Sequence, residues 1–336
     1  MAKQPCGTEF DIISKHFQPL TQGADEALGL LDDAAVLKVP DGHQLVVTTD
    51  AVVGGVHFLE SLSPQDIAHK VVGVNLSDLA AMGAMPYAVF LAAQFPTGLA
   101  EDWIAAFAAG LKSALEPSGA KLLGGDTVST PGPMAFTITA LGHVQDGKAL
   151  TRSGAGQGDL VLATGTIGDG ALGLAVLLGE VKVLNDEHRA HLARRYARPE
   201  PRWDFASELS KRGLASAAVD VSDGLVADLG HICQASGVTA TIEAEQVLLS
   251  DAAQAVLDHE PSRIKDVFTG GDDYELVFTA PETALADLEE LAEMLSLALS
   301  VIGRIEPLDT ECNEAVQVLD TNGKPLSLGA GGYRHL

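Results

Sequence analysis

Short apolar runs alternate along the chain with longer stretches of helical periodicity, and glycine, proline and polar residues separate them. The apolar runs predict buried strands, and the longer stretches predict helices. The elements predicted in the first half are residues 44–48, 67–82, 87–94, 99–115 and 135–144. In the second helix, Trp103, Phe107 and Leu111 recur every four residues, so we expect them to face the core rather than a ligand.

The second half repeats this alternation after a stretch without any period. Residues 151–158 are rich in glycine and polar residues, so we predict an N-terminal domain of residues 1–150 and a C-terminal domain of residues 151–336. The elements predicted beyond the boundary are residues 159–164, 171–178, a helix ending at 211, and 217–221, 225–235, 275–278 and 281–297. The mixture of strands and helices predicts α/β or α+β layers in both domains.

The balance of charge limits the possible partners. The chain has 46 acidic residues against 21 Lys plus Arg, which gives a formal net charge of −25. Nucleic-acid phosphates and anionic lipids attract basic residues, so the composition argues against both as partners. Bound Mg²⁺ would offset part of the negative charge.

Cysteine usage and the lack of long apolar segments predict a cytoplasmic location. Cys6, Cys233 and Cys312 are far apart and form no CxxC pair, which is typical of reduced thiols. The first ten residues are not followed by the apolar segment of a secretory signal, and no apolar run reaches the roughly 18 residues of a membrane helix.

Aspartates recur at the ends of apolar runs. Asp50, Asp126 and Asp220 each follow such a run, where a charge would add little to a core. Hard cations such as Mg²⁺ prefer oxygen ligands, take few carboxylates directly and leave room for water and substrate phosphates. The pattern therefore predicts a divalent-metal site that handles phosphates, although ordinary solvation is the alternative for any single aspartate.

Other motifs for phosphate or metal binding are weaker. Residues 142–149 approach a P-loop, but Ala149 replaces the required hydroxyl, and Asp146 with Gly147 predicts a hairpin turn instead. The turn at residues 165–170 could direct backbone N–H groups toward an anion, or its glycines could serve tight packing. Histidine and cysteine spacing excludes the common zinc motifs, and no EF-hand loop is present.

Eight motifs together resemble those of thiamine-monophosphate kinases. They are residues 31–35, 48–50, 55–58, 75–84, 124–127, 151–154, 220–225 and 270–276. Each is weak alone, but their order and spacing match over nearly the whole chain. The resemblance implies that the γ-phosphoryl group of ATP is transferred to thiamine monophosphate, giving thiamine diphosphate and ADP. It also implies the two-domain aminoimidazole ribonucleotide synthetase-like fold, a homodimer formed by paired N-terminal domains, and several Mg²⁺ ions.

The resemblance implies a role for individual residues. The expected metal-site residues are Asp33, Thr48, Thr49, Asp50, Asp78, Asp126, Asp220 and Asp223. The expected nucleotide contacts are Gly125, Asp126, Arg152 and Ser222. The expected contacts with the acceptor are His57, Asp272 and Tyr333. The residues expected to contribute most directly to catalysis are Asp50, Asp126, Arg152 and Asp220.

Two departures from the family pattern affect the acceptor side. Asp272 stands where the family often has glutamate, which shortens the reach by one methylene group. Ala330 lies near the position where an aromatic residue would pack on thiamine, and Tyr333 could replace it only if the glycine-rich tail brings it round.

The chemistry implied by the resemblance requires charge neutralisation rather than a strong base. A phosphate monoester has a second pKa near 6, so the attacking oxygen is already ionised at neutral pH. Aspartate-bound metal ions would align two mutually repelling substrates, while Arg152 would stabilise charge on the transferred group.

Two alternatives of different kinds stay open. One is another ATP-using enzyme of the same fold, such as aminoimidazole ribonucleotide or selenophosphate synthetase. Cys6 superficially suits the latter, but the block at residues 75–84 favours the thiamine enzyme. The other alternative is an acidic ion-binding protein without turnover. The joint presence of four acidic residues argues against it: Asp50, Asp78, Asp126 and Asp220.

Overall fold

Two mixed sheets carry the fold, one in each of two units. The structure is a computed structural model that describes residues 9–308 and 314–328. Unit 1 consists of Met1–Leu79 and Ala84–Gly147, and unit 2 consists of Ala80–Gly83 and Lys148–Leu336. No helix among the described residues is both long and apolar enough to cross a membrane.

Unit 1 is built on a four-stranded sheet covered by two long helices. Its elements are α1 (Glu9–Ile12), β1 (His43–Val53), α2 (Pro64–Ala81), β2 (Met85–Pro96), α3 (Glu101–Leu115), β3 (Lys121–Thr130) and β4 (Ala135–Gln145). The strand order is β1-β4-β2-β3, in which β2 and β3 are parallel and the other pairs are antiparallel. The two outer strands are therefore β1 and β3.

Aromatic side chains form the centre of the unit 1 core. Phe107 of α3 stacks on Phe136 of β4 with ring centroids 4.5 Å apart, and Phe95 of β2 meets Phe136 edge to face at 5.8 Å. Trp103 stacks on Phe107 at 5.5 Å, and Leu111 is buried. The predicted core role of the four-residue repeat is thus confirmed.

Unit 2 is built on a six-stranded sheet with helices on both faces. Its elements are β5 (Leu160–Thr164), α4 (Asp169–Leu177), α5 (Asp186–Ala197), α6 (Trp203–Arg212), β6 (Ala217–Asp220), α7 (Leu225–Ser236), β7 (Val238–Glu243), α8 (Asp251–His259), α9 (Ile264–Thr269), β8 (Leu276–Ala280), α10 (Leu285–Met294), β9 (Leu299–Pro307) and β10 (Val316–Leu319). The strand order is β10-β7-β9-β5-β8-β6. The pair β10 and β7 is parallel, and the remaining pairs are antiparallel.

The central strands of this sheet are buried on both faces. Every residue of β5 and β8 is buried, as expected for the short continuous apolar runs that predicted them. One face packs against α4, α7, α8 and α9, and the other packs against α6 and α10. The predicted α/β architecture is confirmed.

Most of the predicted elements are present, and the exceptions have physical reasons. Asp146 and Gly147 do form a turn, but no strand follows at once, so the predicted hairpin is wrong. The chain instead continues irregularly to Leu160, and β5 pairs with β8 and β9. Helix α5 was not predicted because its sequence is mostly polar. Its start is marked only by the N-cap Asn185, whose side chain accepts a hydrogen bond from the His188 N–H.

Candidate active site

A cavity of about 520 Å³ opens beside β3 in unit 1. Its floor is apolar and includes Phe17, Phe90 and Leu91. Its polar lining consists of Asp32, Asp33, Gly124, Gly125, Asp126 and Thr127. The volume is within the range of small-molecule sites. The structure thus brings three of the predicted site residues, Asp33, Gly125 and Asp126, to one cavity.

The pair Gly125 and Asp126 is placed by the close approach of β3 to β2. A Cβ atom at position 125 would lie 1.9 Å from the carbonyl oxygen of Leu91, so only glycine fits there. The next side chain, Asp126, is exposed, and its Oδ1 accepts a hydrogen bond from the Thr127 N–H at 2.9 Å. The second carboxylate oxygen takes no part in this bond and can serve as a ligand.

A second group of predicted residues lies at the opposite edge of the same sheet, on β1 and α2. The Thr48 hydroxyl donates to Oδ2 of Asp78 at 2.5 Å. The Asp50 N–H donates to Oδ1 of Asn75 at 3.0 Å, and the Asn75 amide donates in turn to the Val71 carbonyl. Asn75 therefore joins the helix to the strand that carries Asp50.

The hydroxyl of Thr49, another predicted metal-site residue, is bound within the sheet. It donates to the Ile138 carbonyl at 3.0 Å and lies 3.2 Å from the Thr139 hydroxyl. Both partners belong to β4, next to β1. The oxygen of Thr49 still has a lone pair, but its proton is committed to the backbone.

Strand order separates the two groups within one chain. Strands β4 and β2 lie between β1, which carries Asp50, and β3, which carries Asp126. Three strand spacings amount to about 14 Å along the sheet. Two aspartate side chains cannot bind one ion across that distance. Among residues 9–308 and 314–328, no three His, Cys, Asp or Glu side chains form a cluster suited to a metal ion.

Predicted residues of unit 2 lie on a loop that follows β6. Asp220 ends the strand and is buried, and Ser222 and Asp223 are half-buried. Oδ2 of Asp228, in the first turn of α7, accepts hydrogen bonds from the backbone N–H groups of Ser222, Asp223 and Gly224, each at 3.0 Å. Burial, and after it the nearby negative charge of Asp220, raise the pKa of Asp228 to about 7.

Asp228 holds this loop, although no separate role was predicted for it from the sequence. Its spacing of four residues from Gly224 is a signal that could have identified it, because an acidic side chain in the first helical turn can bond the free N–H groups of the preceding residues.

The loop at residues 270–275 lies beside the 220–224 loop. Because β6 and β8 are antiparallel and Asp220 pairs with Leu276, the end of one strand meets the beginning of the other. The Asp272 N–H donates to the Ser222 carbonyl at 2.9 Å, and the Tyr274 hydroxyl donates to Oδ1 of Asp272 at 3.3 Å. Unit 2 therefore places the predicted acceptor residue Asp272 next to the predicted nucleotide residue Ser222.

His57 is half-buried in a turn of unit 1, and Arg152 lies on an exposed bend of unit 2. Nδ1 of His57 accepts the Val53 N–H at 3.0 Å, so a neutral His57 ring carries its proton on Nε2. Arg152 is exposed, and its carbonyl accepts a hydrogen bond from the Ser236 hydroxyl. The predicted residue Tyr333, like Ala330, lies outside the residues that the structure describes.

The glycine turn at residues 165–170 does face an anion, and that anion belongs to the protein. The N–H groups of Gly168 and Gly170 donate to Oδ2 and Oδ1 of Asp273 at 2.7 and 2.8 Å. The start of α4 is therefore capped by a carboxylate from the 270–275 loop. Both readings of the turn, anion binding and tight packing, describe part of what it does.

Known proteins are similar to this chain over nearly its whole length. Residues 31–144 match the family described as AIR synthase related protein, N-terminal domain, and residues 156–311 match the corresponding C-terminal domain. Thiamine-monophosphate kinase of Salmonella typhimurium is 39% identical over 331 residues, which is 98% of each chain.

Two solved structures are similar in both sequence and fold. The crystal structure of thiamine-monophosphate kinase from Stenotrophomonas maltophilia K279a is 38% identical, covers 97% of this chain and 100% of its own, and superposes with a TM-score of 0.83. A structure of AaThiL complexed with AMPPCP and TMP is 31% identical over 91% of each chain, with a TM-score of 0.76.

Proposed function

The chain belongs to the thiamine-monophosphate kinase family, and from this premise we propose that it transfers the γ-phosphoryl group of ATP to thiamine monophosphate. The products are thiamine diphosphate and ADP. The observation that carries the proposal is a likeness to thiamine-monophosphate kinases that extends over 98% of the chain. A similar solved structure, complexed with AMPPCP and TMP, supports a nucleotide and a monophosphate as the two ligands.

The donor atoms of the chain suit Mg²⁺ as the metal. In unit 1, carboxylate and hydroxyl oxygens come in small groups, with Asp33 and Asp126 at the cavity and Thr48, Asp50 and Asp78 at the other edge of the sheet. Mg²⁺ usually takes one or two carboxylates and fills its remaining positions with water and phosphate oxygens. When bound, it supplies positive charge that reduces the repulsion between two phosphate-bearing substrates.

The remaining residues bind and orient the substrates. We assign the nucleotide to Gly125, Arg152 and Ser222, because an exposed glycine, an exposed guanidinium and a half-buried hydroxyl suit phosphate oxygens. We assign the acceptor to His57 and Asp272, since the Nε2–H of His57 can donate to a phosphate. Asp220 and Asp223 in unit 2 complete the proposed metal set. No strong base is needed, because the acceptor phosphate is ionised at neutral pH.

A direct assay separates this function from its alternatives. The purified chain is incubated with Mg²⁺ and γ-labelled ATP, together with thiamine monophosphate in one reaction and the substrates of aminoimidazole ribonucleotide or selenophosphate synthetase in others. We expect label in thiamine diphosphate, and we expect a chelator to abolish it. Label that appears only in another product would assign the chain to a different enzyme of this fold, and no product in any reaction would favour an ion-binding protein.

We also propose that two copies pair through the outer edge of β1. Among the described residues, β1 has a partner strand only on the β4 side, and the open edge of a strand is a template for pairing with another chain. Leu45 and Val47 on this edge are 39% and 56% exposed, although both are apolar. A second copy of the same strand would cover both features at once.

The dimer is tested by placing a charge on the edge. Val47→Asp is expected to convert a dimer to a monomer, because pairing would bury two carboxylates close together. Val183→Asp is the matched control, since Val183 lies in unit 2 with a similar exposed fraction of 54%. Analytical ultracentrifugation of both variants gives the result. A Val47→Asp variant that sediments as the wild type does would remove β1 from the interface.

The location and partners follow from composition. Cys233 is a free, buried cysteine, and burial raises the pKa of its thiol to about 11, so that it stays protonated and unreactive. We therefore place the enzyme in the cytoplasm, where reduced thiols persist. The net charge of −25 supports small anionic substrates that arrive with metal ions, and it argues against nucleic acid or membrane as partners.

A further inference from the structure

We propose that Asp273 is a positioning residue for the acceptor site, which fixes Asp272 by tying the 270–275 loop to the start of α4. The inference rests on the proposed function, because it concerns the residue assigned to the acceptor. Nothing in the motif distinguishes the two neighbouring aspartates, but the structure gives them opposite environments. Asp272 is half-exposed, whereas Asp273 is 1% exposed.

The backbone of this loop needs to be held. Asp272 and Tyr274 have φ angles of +74° and +53°, in the left-handed region that residues with side chains rarely adopt. Such conformations persist only where the surrounding contacts fix them. Asp273 lies between the two, so its side chain is well placed to supply those contacts.

The contacts of Asp273 join the loop to a helix start. Its two carboxylate oxygens accept the N–H groups of Gly168 and Gly170 at 2.7 and 2.8 Å. These N–H groups belong to the N-terminus of α4, where the aligned peptide dipoles favour a negative partner. A carboxylate with one oxygen on each donor cannot rotate without losing a bond, so the loop is fixed in direction as well as in position.

Close packing also connects the 270–275 loop to the start of α4. A Cβ atom at Gly170 would lie 2.3 Å from the carbonyl carbon and oxygen of Asp272, and one at Gly271 would lie 2.2 Å from the Ser222 carbonyl oxygen. The loop therefore lies directly between the start of α4 and the 220–224 loop. Movement of either neighbour would move Asp272.

Backbone hydrogen bonds complete the arrangement on the other side. The N–H groups of Asp272 and Tyr274 donate to the carbonyls of Ser222 and Val221 at 2.9 and 2.8 Å. These bonds link the loop to the residues that we assign to the nucleotide and metal. The bonds of Asp273 to Gly168 and Gly170 tie the loop to the start of α4, and a single side-chain substitution can remove them.

Asp273→Asn is the direct test. The amide keeps the size of the side chain but presents an NH₂ group to one of two N–H donors, so one bond is replaced by a repulsive contact. We expect kcat/KM for thiamine monophosphate to fall on the order of 10²-fold, as for small displacements of a positioning group. The KM for ATP is expected to stay within about twofold, because the substituted bonds hold the acceptor loop.

A matched control removes a buried hydrogen bond elsewhere in unit 2. Thr279 is fully buried at the far end of β8, and its hydroxyl lies 2.7 Å from that of Ser216. Thr279→Val is expected to lower the melting temperature while leaving both KM values unchanged. This control distinguishes a positioning effect from a general loss of stability.

A second variant addresses the case in which Asp273→Asn does not fold. Gly170→Ala retains every charge, and its methyl group, 2.3 Å from the Asp272 carbonyl, has to displace the backbone of the loop. We expect the same selective fall in kcat/KM for thiamine monophosphate. An unchanged kcat/KM for thiamine monophosphate in Gly170→Ala, or equal losses for both substrates in Asp273→Asn, would overturn the positioning role while the function stands. A wild-type enzyme without activity on thiamine monophosphate would overturn both.

Discussion

Asp126→Asn is expected to lower kcat on the order of 10²–10³-fold, the loss typical of removing one preorganised electrostatic group from an active site. Asparagine keeps the size and one oxygen of the side chain but loses the charge that we propose binds Mg²⁺. Stability should change by no more than about 0.5 kcal/mol, because Asp126 is exposed and its described bond to the Thr127 N–H can be kept by the amide oxygen.

The measurement pairs steady-state kinetics over a range of Mg²⁺ concentrations with thermal unfolding. Asp146→Asn is the control, because it makes the same change in net charge at an exposed turn of unit 1. We expect that control to keep its kcat. A melting temperature that falls together with activity in Asp126→Asn would instead give Asp126 a structural role, and kcat equal to that of the control would remove it from the site.

The sequence predicted which residues form strands and helices better than it predicted which strands lie next to each other in a sheet. Apolar runs located β1, β2 and β4 in unit 1, whereas Asp50 and Asp126, expected just beyond apolar runs, lie within β1 and β3. Strand order is set by pairing between distant segments, which periodicity does not contain. The order places β4 and β2 between the two aspartates, so the distance between these predicted metal-site residues could not be judged from their positions along the chain.

The burial of acidic residues is the second feature that could not be predicted from the sequence. The motif at residues 270–276 received a single site assignment, Asp272, and nothing in the sequence showed that Asp273 and Glu275 are buried, because acidic residues rarely are. A period of two along the loop could have indicated that Asp273 and Glu275 face the same way. Their burial depends on partners from α5 and its surroundings, and that helix was not predicted because its sequence is polar.

Glu275→Gln is expected to give the largest loss of stability, about 3–5 kcal/mol, the usual cost of removing one member of a buried ion pair. Glu275 is fully buried. Its carboxylate accepts hydrogen bonds from Arg195 at 2.9 Å, from Arg202 at 2.7 and 2.5 Å, and from the Thr164 hydroxyl at 2.7 Å. The amide would leave Arg195, which is only 4% exposed, without its closest negative partner.

The two tryptophans allow this loss to be assigned to one unit. Trp203 packs against the unit 2 core, and Trp103 belongs to the unit 1 core. In a Trp103→Phe background, fluorescence during denaturant unfolding reports on unit 2 alone, and in Trp203→Phe it reports on unit 1. We expect Glu275→Gln to shift the Trp203 transition to lower denaturant and to shift the Trp103 transition less.

Glu282→Gln is the control for the shift of the unfolding transition in Glu275→Gln. Glu282 pairs with Arg304 at 3.5 Å, but their side chains are 69% and 51% exposed, and such surface pairs contribute about 0–1 kcal/mol. Both substitutions remove one negative charge from unit 2, so net charge cannot explain a difference between them. A Glu275→Gln variant no less stable than Glu282→Gln would mean that desolvation of the buried ions cancels their attraction, and that the network serves to orient the 270–275 loop rather than to stabilise the unit.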